Sequence, residues 1–174
     1  MGDPALEDLL LALSETLGFQ AILLHMPWGW PSAEILHFTG LCLLIGTIGF
    51  FDLRILGWAR GIPLNALHKL VPLGVAGFCI NAFTGVMFVT SVPDQYLYNP
   101  AFQVKVVLLL TAGVNMGLFY LLAFRELKSL GPEDVAPLRA KVFTLVSLLA
   151  WIGVIACGRL ITFYRPPYIW CFWC

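Results

Sequence analysis

Long runs of apolar residues dominate this chain, and short segments with glycine, proline and charged residues separate them. The four longest runs cover residues 33–56, 67–91, 102–124 and 140–164. Each is long enough for a membrane-spanning helix, which needs about 20 apolar residues. None shows the period of two that a membrane strand requires. Because short connectors favour antiparallel neighbours, the pattern predicts an all-α, integral membrane four-helix bundle over residues 32–165.

The two ends of the chain follow other patterns. In residues 1–31, leucines recur at helical spacing beside acidic residues, and Trp28 and Trp30 follow within a proline-containing elbow. This pattern predicts an N-terminal amphipathic helix lying at the membrane interface, with an aromatic anchor at headgroup depth. Residues 166–174 combine aromatic residues with Cys171 and Cys174. We expect this tail to be an aromatic interface anchor. The sequence does not decide between free cysteines and a disulfide at these two positions.

The composition narrows the function classes. The chain has 174 residues, of which 60% are hydrophobic and 11% charged, and its mean hydropathy is +0.87. A water-soluble domain is usually about 25% charged, so membrane lipids are the expected surroundings. The net charge is zero, so no nucleic acid partner is expected. No nucleophile–base motif is present in the sequence, and a stand-alone enzyme is therefore not predicted.

The basic residues predict the orientation in the membrane. Seven of the ten Lys and Arg residues lie in or beside the first and third connectors: Arg54, Arg60, Lys69, Arg125, Lys128, Arg139 and Lys141. Basic residues near span ends favour the cytoplasmic side. The chain is therefore expected in a bacterial cytoplasmic (inner) membrane as a multi-pass protein with both termini periplasmic.

Each predicted span carries a polar or sulfur-containing side chain near the same end of the bundle. His37 lies about four residues inside the first span, roughly 6 Å at 1.5 Å per residue, and Met87 lies at a similar depth in the second. Lys105 stands near the start of the third span and Arg159 near the end of the fourth. Ionisable side chains in membrane spans mark function by default. We therefore expect these four residues to share one outer layer.

The residue types in this layer suit haem b. Imidazole and thioether sulfur are the usual axial ligands of haem iron, and Lys and Arg pair with carboxylates such as the haem propionates. Gly40, one turn from His37, gives a flat macrocycle room to approach. We expect His37 as the metal ligand, with Met87, Lys105, Arg159 and Gly40 completing the cofactor site. The same cations also suit a quinone, a lipid phosphate or another anion.

A possible second site lies near the opposite end of the bundle. His68 begins the second predicted span, and Tyr120 approaches from the third. A second haem at His68 is an alternative that the residues leave open. Asp52 and Arg54, near the same end, are expected to form an ion pair at the membrane edge.

Proline, glycine and polar residues recur at scattered positions in all four predicted helices. The positions are Pro31, Glu34, His37, Gly40, 52–57, Pro72, Gly77, Gly85, Phe88, 99–102, Lys105, Gly158 and Arg159. This set resembles a group of small bacterial integral membrane proteins that is similar to the copper-resistance D-type membrane domain. More distantly, it resembles the four-helix b-haem proteins linked to protoporphyrinogen oxidation and the b-type cytochromes.

The resemblance implies a haem-b or related redox role carried by His37, Lys105 and Arg159. Tyr120 stands where a histidine is expected in some relatives, which argues against a second haem. The leading hypothesis is a membrane b-type haem protein that transfers electrons near the periplasmic face, with quinone as a possible partner. The alternatives are a non-catalytic accessory subunit of a larger bacterial membrane complex, and metal (copper) handling or transport.

Overall fold

The computed structural model describes residues 4–58, 60–127, 130–131 and 134–164. Within these residues no strand occurs, and helices joined by short turns make up the fold. In chain order they are α1 (Pro4–Thr16), a π-helical turn (Ala21–His25), α2 (Gly29–Leu44), a second π-helical turn (Ile45–Gly49), α3 (Phe50–Leu56), α4 (Leu64–His68), α5 (Val71–Ser91), α6 (Pro93–Leu97), α7 (Pro100–Leu122), α8 (Phe124–Leu127), α9 (Leu138–Leu160) and a 3₁₀ turn (Ile161–Phe163).

Four helical segments of the described chain are long and apolar enough to cross a membrane: Gly29–Leu56, Leu64–Ser91, Pro100–Leu122 and Leu138–Phe163. The all-α four-helix prediction is thereby confirmed. The first span starts at Gly29 rather than near residue 33, because Pro31 fits in the first turn of a helix, where its missing N–H would be unpaired anyway.

Small residues bring α2 and α5 into close contact. A Cβ atom on Gly77 would lie 2.6 Å from the carbonyl oxygen of Gly40, and one on Gly40 would lie 2.7 Å from the carbonyl oxygen of Gly77. Only glycine allows two helix backbones to approach this closely, as is common between membrane helices. Gly40 and Gly77 therefore fix the first helix pair.

The second helix pair consists of α7 and α9. The Asn115 side-chain amide donates a hydrogen bond to the carbonyl oxygen of Phe143, 2.9 Å away, and Gly153 faces the side chain of Leu108. The two pairs meet mainly where α3 packs on α9. Elsewhere the space between them contains two cavities, one above the other along the bundle.

Apolar clusters close both ends of the bundle. One joins the turns around α6 to the start of the first span and contains Leu23, Ala33, Met87, Phe88, Tyr96, Ala101 and Ile161. The other joins α3, α4 and α8 to the start of α9 and contains Phe51, Ile55, Leu64, Leu67, Phe119, Ala123, Leu127, Ala136 and Ala140. These clusters tie the two helix pairs together on either side of the cavities.

The N-terminal helix α1 packs against the end of α5. Its Ser14 is fully buried, and the Ser14 hydroxyl lies 3.0 Å from the hydroxyl of Ser91. Leucines 6, 9, 13 and 17 are exposed on the other side of this segment. Exposed apolar surface of this kind marks contact with a membrane or a partner, and the helix thus presents leucines outward while a serine holds it to the bundle.

Candidate functional site

A cavity of about 220 Å³ lies in the half of the bundle that contains the start of the first span. We call it the His37 cavity. Every span contributes to its wall; the polar and glycine residues that line it are Glu34, His37, Asn81, Gly85, Lys105, Gly158, Arg159 and Thr162. The structure therefore brings His37, Lys105 and Arg159 together around one space.

A chain of hydrogen bonds fixes the ring of His37. The hydroxyl of Thr84, which is fully buried, lies 2.7 Å from His37 Nδ1 and donates its own proton to the carbonyl oxygen of Ile80 at 2.9 Å. A hydroxyl has one proton, so a Thr84 that donates to Ile80 accepts from His37, and Nδ1 carries the hydrogen in that arrangement. The neutral ring then has a lone pair on Nε2. Metal-ligating histidines are held in this way by a partner on the other ring nitrogen.

The backbone at His37 is also held. The side-chain amide of Asn81 donates a hydrogen bond to the carbonyl oxygen of His37, 2.8 Å away, and the ring of Phe88 meets the His37 ring edge-on at 5.8 Å. Three residues of α5 therefore position one residue of α2. This support makes the histidine a rigid part of the cavity wall.

Two cations lie on the opposite wall. Lys105 is half-buried, and among the described residues no Asp or Glu pairs with it. Arg159 is exposed; its guanidinium lies 5.4 Å from the ring centre of Phe163 and 3.4 Å from the Thr162 hydroxyl. An unpaired cation inside a membrane span is costly, so this wall favours an anionic ligand group.

Two glycines leave the neighbourhood of these side chains open. A Cβ atom on Gly85 would lie 3.8 Å from the ring carbon Cε1 of His37, and one on Gly158 would lie 3.6 Å from the ammonium nitrogen of Lys105. The cavity thus has glycine surfaces beside both its imidazole and its ammonium group, and a flat ligand can approach the backbone there.

The His37 cavity opens sideways, between α2 and α9. The lining residues that are exposed, among them Glu34, Phe38, Ile155 and Arg159, belong to these two helices and to the 3₁₀ turn that follows α9. Those contributed by α5 and α7 are half-buried or buried. A ligand can therefore reach His37 from the membrane side of the bundle without passing through a helix pair.

Met87 and Gly40 lie near this cavity but do not line it. Met87 is buried in the apolar cluster that contains Leu23, and Gly40 is occupied by its contact with Gly77. Thr84 and Asn81 take part in the site instead. Their signal in the sequence is two polar side chains, three residues apart, within the otherwise apolar stretch 71–89.

At the other end of the bundle, the structure brings His68 and Tyr120 together. The Tyr120 hydroxyl lies 3.3 Å from His68 Nε2, and the ring of His68 stacks on that of Phe124 at 4.6 Å. The expected ion pair between Asp52 and Arg54 is absent from the described residues. Side chains two positions apart on a helix do not face each other.

The residue types that line the His37 cavity fit haem b. An oriented imidazole, two cations and glycine surfaces match the iron, the propionates and the flat ring of that cofactor. The enclosed volume is below the roughly 300–1,000 Å³ of typical ligand pockets and holds part of a macrocycle. The donor set therefore fits haem b, provided that the opening between α2 and α9 takes part in binding.

Comparisons with protein-family models, with curated proteins and with solved structures found no match to this chain. The resemblance to copper-resistance D-type domains and b-haem proteins therefore stays a prediction. No group of three or more His, Cys, Asp or Glu that could hold a metal ion occurs in the part of the chain that the structure describes. Cys171 and Cys174 lie outside the described residues.

Proposed function

We propose that this chain is a membrane haem-b protein that transfers electrons near one face of the bilayer. One observation carries the proposal: His37, whose Nδ1 lies 2.7 Å from the Thr84 hydroxyl, shares a cavity with Lys105 and Arg159. An imidazole with a fixed tautomer is a ready ligand for iron. Two cations beside it suit a pair of carboxylates.

Each residue has a distinct role in this proposal. His37 supplies the iron ligand, and Thr84 holds its ring and tautomer. Lys105 and Arg159 would pair with the propionates of a bound haem. Bound haem supplies a one-electron couple, and its potential is tuned by the axial ligand and by burial. Met87 does not line the cavity and is not assigned as an iron ligand.

The face that holds the site is proposed to be the periplasmic one. Arg54, Arg60 and Lys69 lie at the end of the first helix pair that is remote from His37, and basic residues favour the cytoplasmic side. Electron exchange would then take place at the outer surface of a bacterial inner membrane, with quinone or a membrane complex as partner classes.

The experiment is an absorption spectrum of the purified full-length chain, before and after addition of haemin. We expect a Soret band that shifts on reduction. His37→Ala should abolish it, and His68→Ala, the matched histidine control, should leave it unchanged. Thr84→Val keeps the side-chain shape but removes the acceptor for Nδ1, and we expect about 10–100-fold weaker haem binding.

Two results would contradict the proposal. One is a protein that stays without a Soret band after addition of haemin. The other is a band that survives in His37→Ala but disappears in His68→Ala, which would place the iron at the opposite end of the bundle. Met87→Leu should have no effect on the spectrum, because Met87 does not line the cavity.

A further inference from the structure

A second cavity, of about 180 Å³, lies between the two helix pairs below the His37 cavity. We call it the Asp52 cavity, after the carboxyl group in its wall. Its exposed lining residues, including Val75, Phe78, Met116 and Tyr120, belong to α5 and α7. The cavity therefore opens between α5 and α7, on a side of the bundle that faces lipid when the spans cross a membrane.

The polar part of this cavity contains a carboxyl oxygen without a partner. Asp52 is 4% exposed, and its Oδ2 has no hydrogen-bond partner within residues 4–58, 60–127, 130–131 and 134–164. Ser147 lies within hydrogen-bonding reach of the carboxyl group. A buried polar atom without a partner is unfavourable unless a ligand supplies the missing donor.

Two neighbouring polar side chains already have partners of their own. The amide of Asn115 donates to the carbonyl oxygen of Phe143, and the hydroxyl of Thr144 donates to that of Ala140 at 3.1 Å. Neither group donates a hydrogen bond to Asp52 Oδ2. Ser147 has a single hydroxyl proton and can satisfy only one oxygen of the carboxyl group, so Oδ2 remains an acceptor without a partner at the inner end of the cavity.

The rest of the wall is apolar and aromatic. Phe51, Phe78, Phe143 and Trp151 are among the residues that line the cavity. A ligand that reaches Asp52 from lipid has to be lipid-soluble, and aromatic walls favour a ring. The enclosed volume is smaller than a typical pocket for a drug-sized ligand, and it suits a single-ring head group.

We propose that the Asp52 cavity binds the head group of a lipid-soluble hydroquinone, with a ring hydroxyl donating a hydrogen bond to Asp52 Oδ2. The alkyl tail leaves through the opening between α5 and α7 into the membrane. This site is separate from the His37 cavity, and its occupation does not depend on haem. The two proposals therefore succeed or fail independently.

The test measures how much decylubiquinol the protein binds. The purified, haem-free full chain is immobilised in detergent under anoxic conditions, and the ligand that it retains is quantified. Gly113 lines the opening, and a Cβ atom there meets no atom within 4 Å. Gly113→Phe should therefore block the site without disturbing helix packing. Gly117 is equally open but lies off the cavity wall, so Gly117→Phe is the matched control and should bind normally.

A second pair of variants examines the carboxyl group. Asp52→Leu removes the acceptor, and we expect binding to weaken about tenfold to a hundredfold. Asp94→Leu changes an exposed acidic residue of α6 and should bind normally. Decylamine, a cationic probe with the same tail, should displace decylubiquinol poorly.

Equal binding by Gly113→Phe and Gly117→Phe would overturn the proposal, and so would unchanged binding by Asp52→Leu. Decylamine that binds more tightly than decylubiquinol would also overturn it, because the carboxylate would then hold a cation. If Asp52→Leu does not fold, the glycine pair still decides the outcome. Loss of the Soret band in His37→Ala with intact decylubiquinol binding would support both sites separately.

Discussion

Replacing Gly77 by alanine should force α2 and α5 apart where they cross. The new Cβ atom would lie 2.6 Å from the carbonyl oxygen of Gly40 and 2.8 Å from the backbone nitrogen of Leu44. Ordinary contact begins at 3.4 Å, so the helices have to separate by about 0.8 Å. Backbone atoms on both sides cannot rotate away as a flexible side chain can, and the strain is therefore spread over the whole helix pair.

The destabilisation caused by Gly77→Ala is measured best by comparison with Gly117→Ala. A Cβ atom on Gly117 meets no atom within 4 Å, and both variants gain the same helix propensity, about 0.5–1 kcal/mol. This gain cancels in the comparison and leaves the strain at residue 77. Overpacking of a tight contact costs about 1–3 kcal/mol. For a chain of this length, Gly77→Ala should therefore melt about 2–12 °C below Gly117→Ala.

The buried thiol of Cys157 provides the assay. A fluorogenic maleimide reacts with it only after unfolding, and the other cysteines are replaced by serine in both variants. Thermal ramps in detergent then give the Tm of each protein. If Gly77→Ala melts at or above the Tm of Gly117→Ala, α2 and α5 do not pack against each other through Gly40 and Gly77.

Two further predictions concern buried polar side chains. Ser14→Ala leaves the hydroxyl of Ser91 without its partner, so α1 should dock about 1 kcal/mol less tightly and be cleaved several-fold faster by protease. Thr16→Ala, at an exposed position, is the control, and equal cleavage rates would count against the contact. Asn99→Ala removes the N-cap of α7 and the donor to the carbonyl oxygen of Ile161. The loss of about 2 kcal/mol should lower the Tm by about 4–8 °C, and an unchanged Tm would show that this cap is not formed.

The depth of the site residues could be read from the sequence. His37, Lys105 and Arg159 were each placed a few residues from a span end, and all three line one cavity in the structure. A helix rises a fixed distance per residue, so counting from a span end gives a level in the bundle. This counting works even where the helix is apolar on every side.

The direction in which each side chain points could not be read in the same way. Met87 and Thr84 lie within one turn of each other on α5, yet Thr84 holds the His37 ring while Met87 packs among apolar side chains. A soluble helix reveals its inward face through its apolar stripe. A membrane helix that is apolar all round carries no such stripe, because lipid and protein interior favour the same residues.

The prediction of an ion pair between Asp52 and Arg54 was wrong for a related reason. Opposite charges close in sequence suggested a pair, but the two side chains leave the helix in different directions. Arg54 donates from Nε to the carbonyl oxygen of Ile62 at 2.7 Å, whereas Asp52 faces the cavity between the helix pairs. The sequence shows that the two opposite charges are close along the chain. The tertiary packing directs the two side chains to different surroundings.

By itself, the sequence determined that the chain forms four apolar helices, where each begins and ends within a few residues, and which polar groups share a level. These properties depend on length, hydropathy and helical rise, all of which are local. The tertiary structure alone decided that the glycines of α2 and α5 join one pair, that Asn115 links the other, and that the His37 and Asp52 cavities remain between the pairs. Those features depend on the rotation of each helix about its axis, and that rotation is set by contacts between segments far apart in the chain.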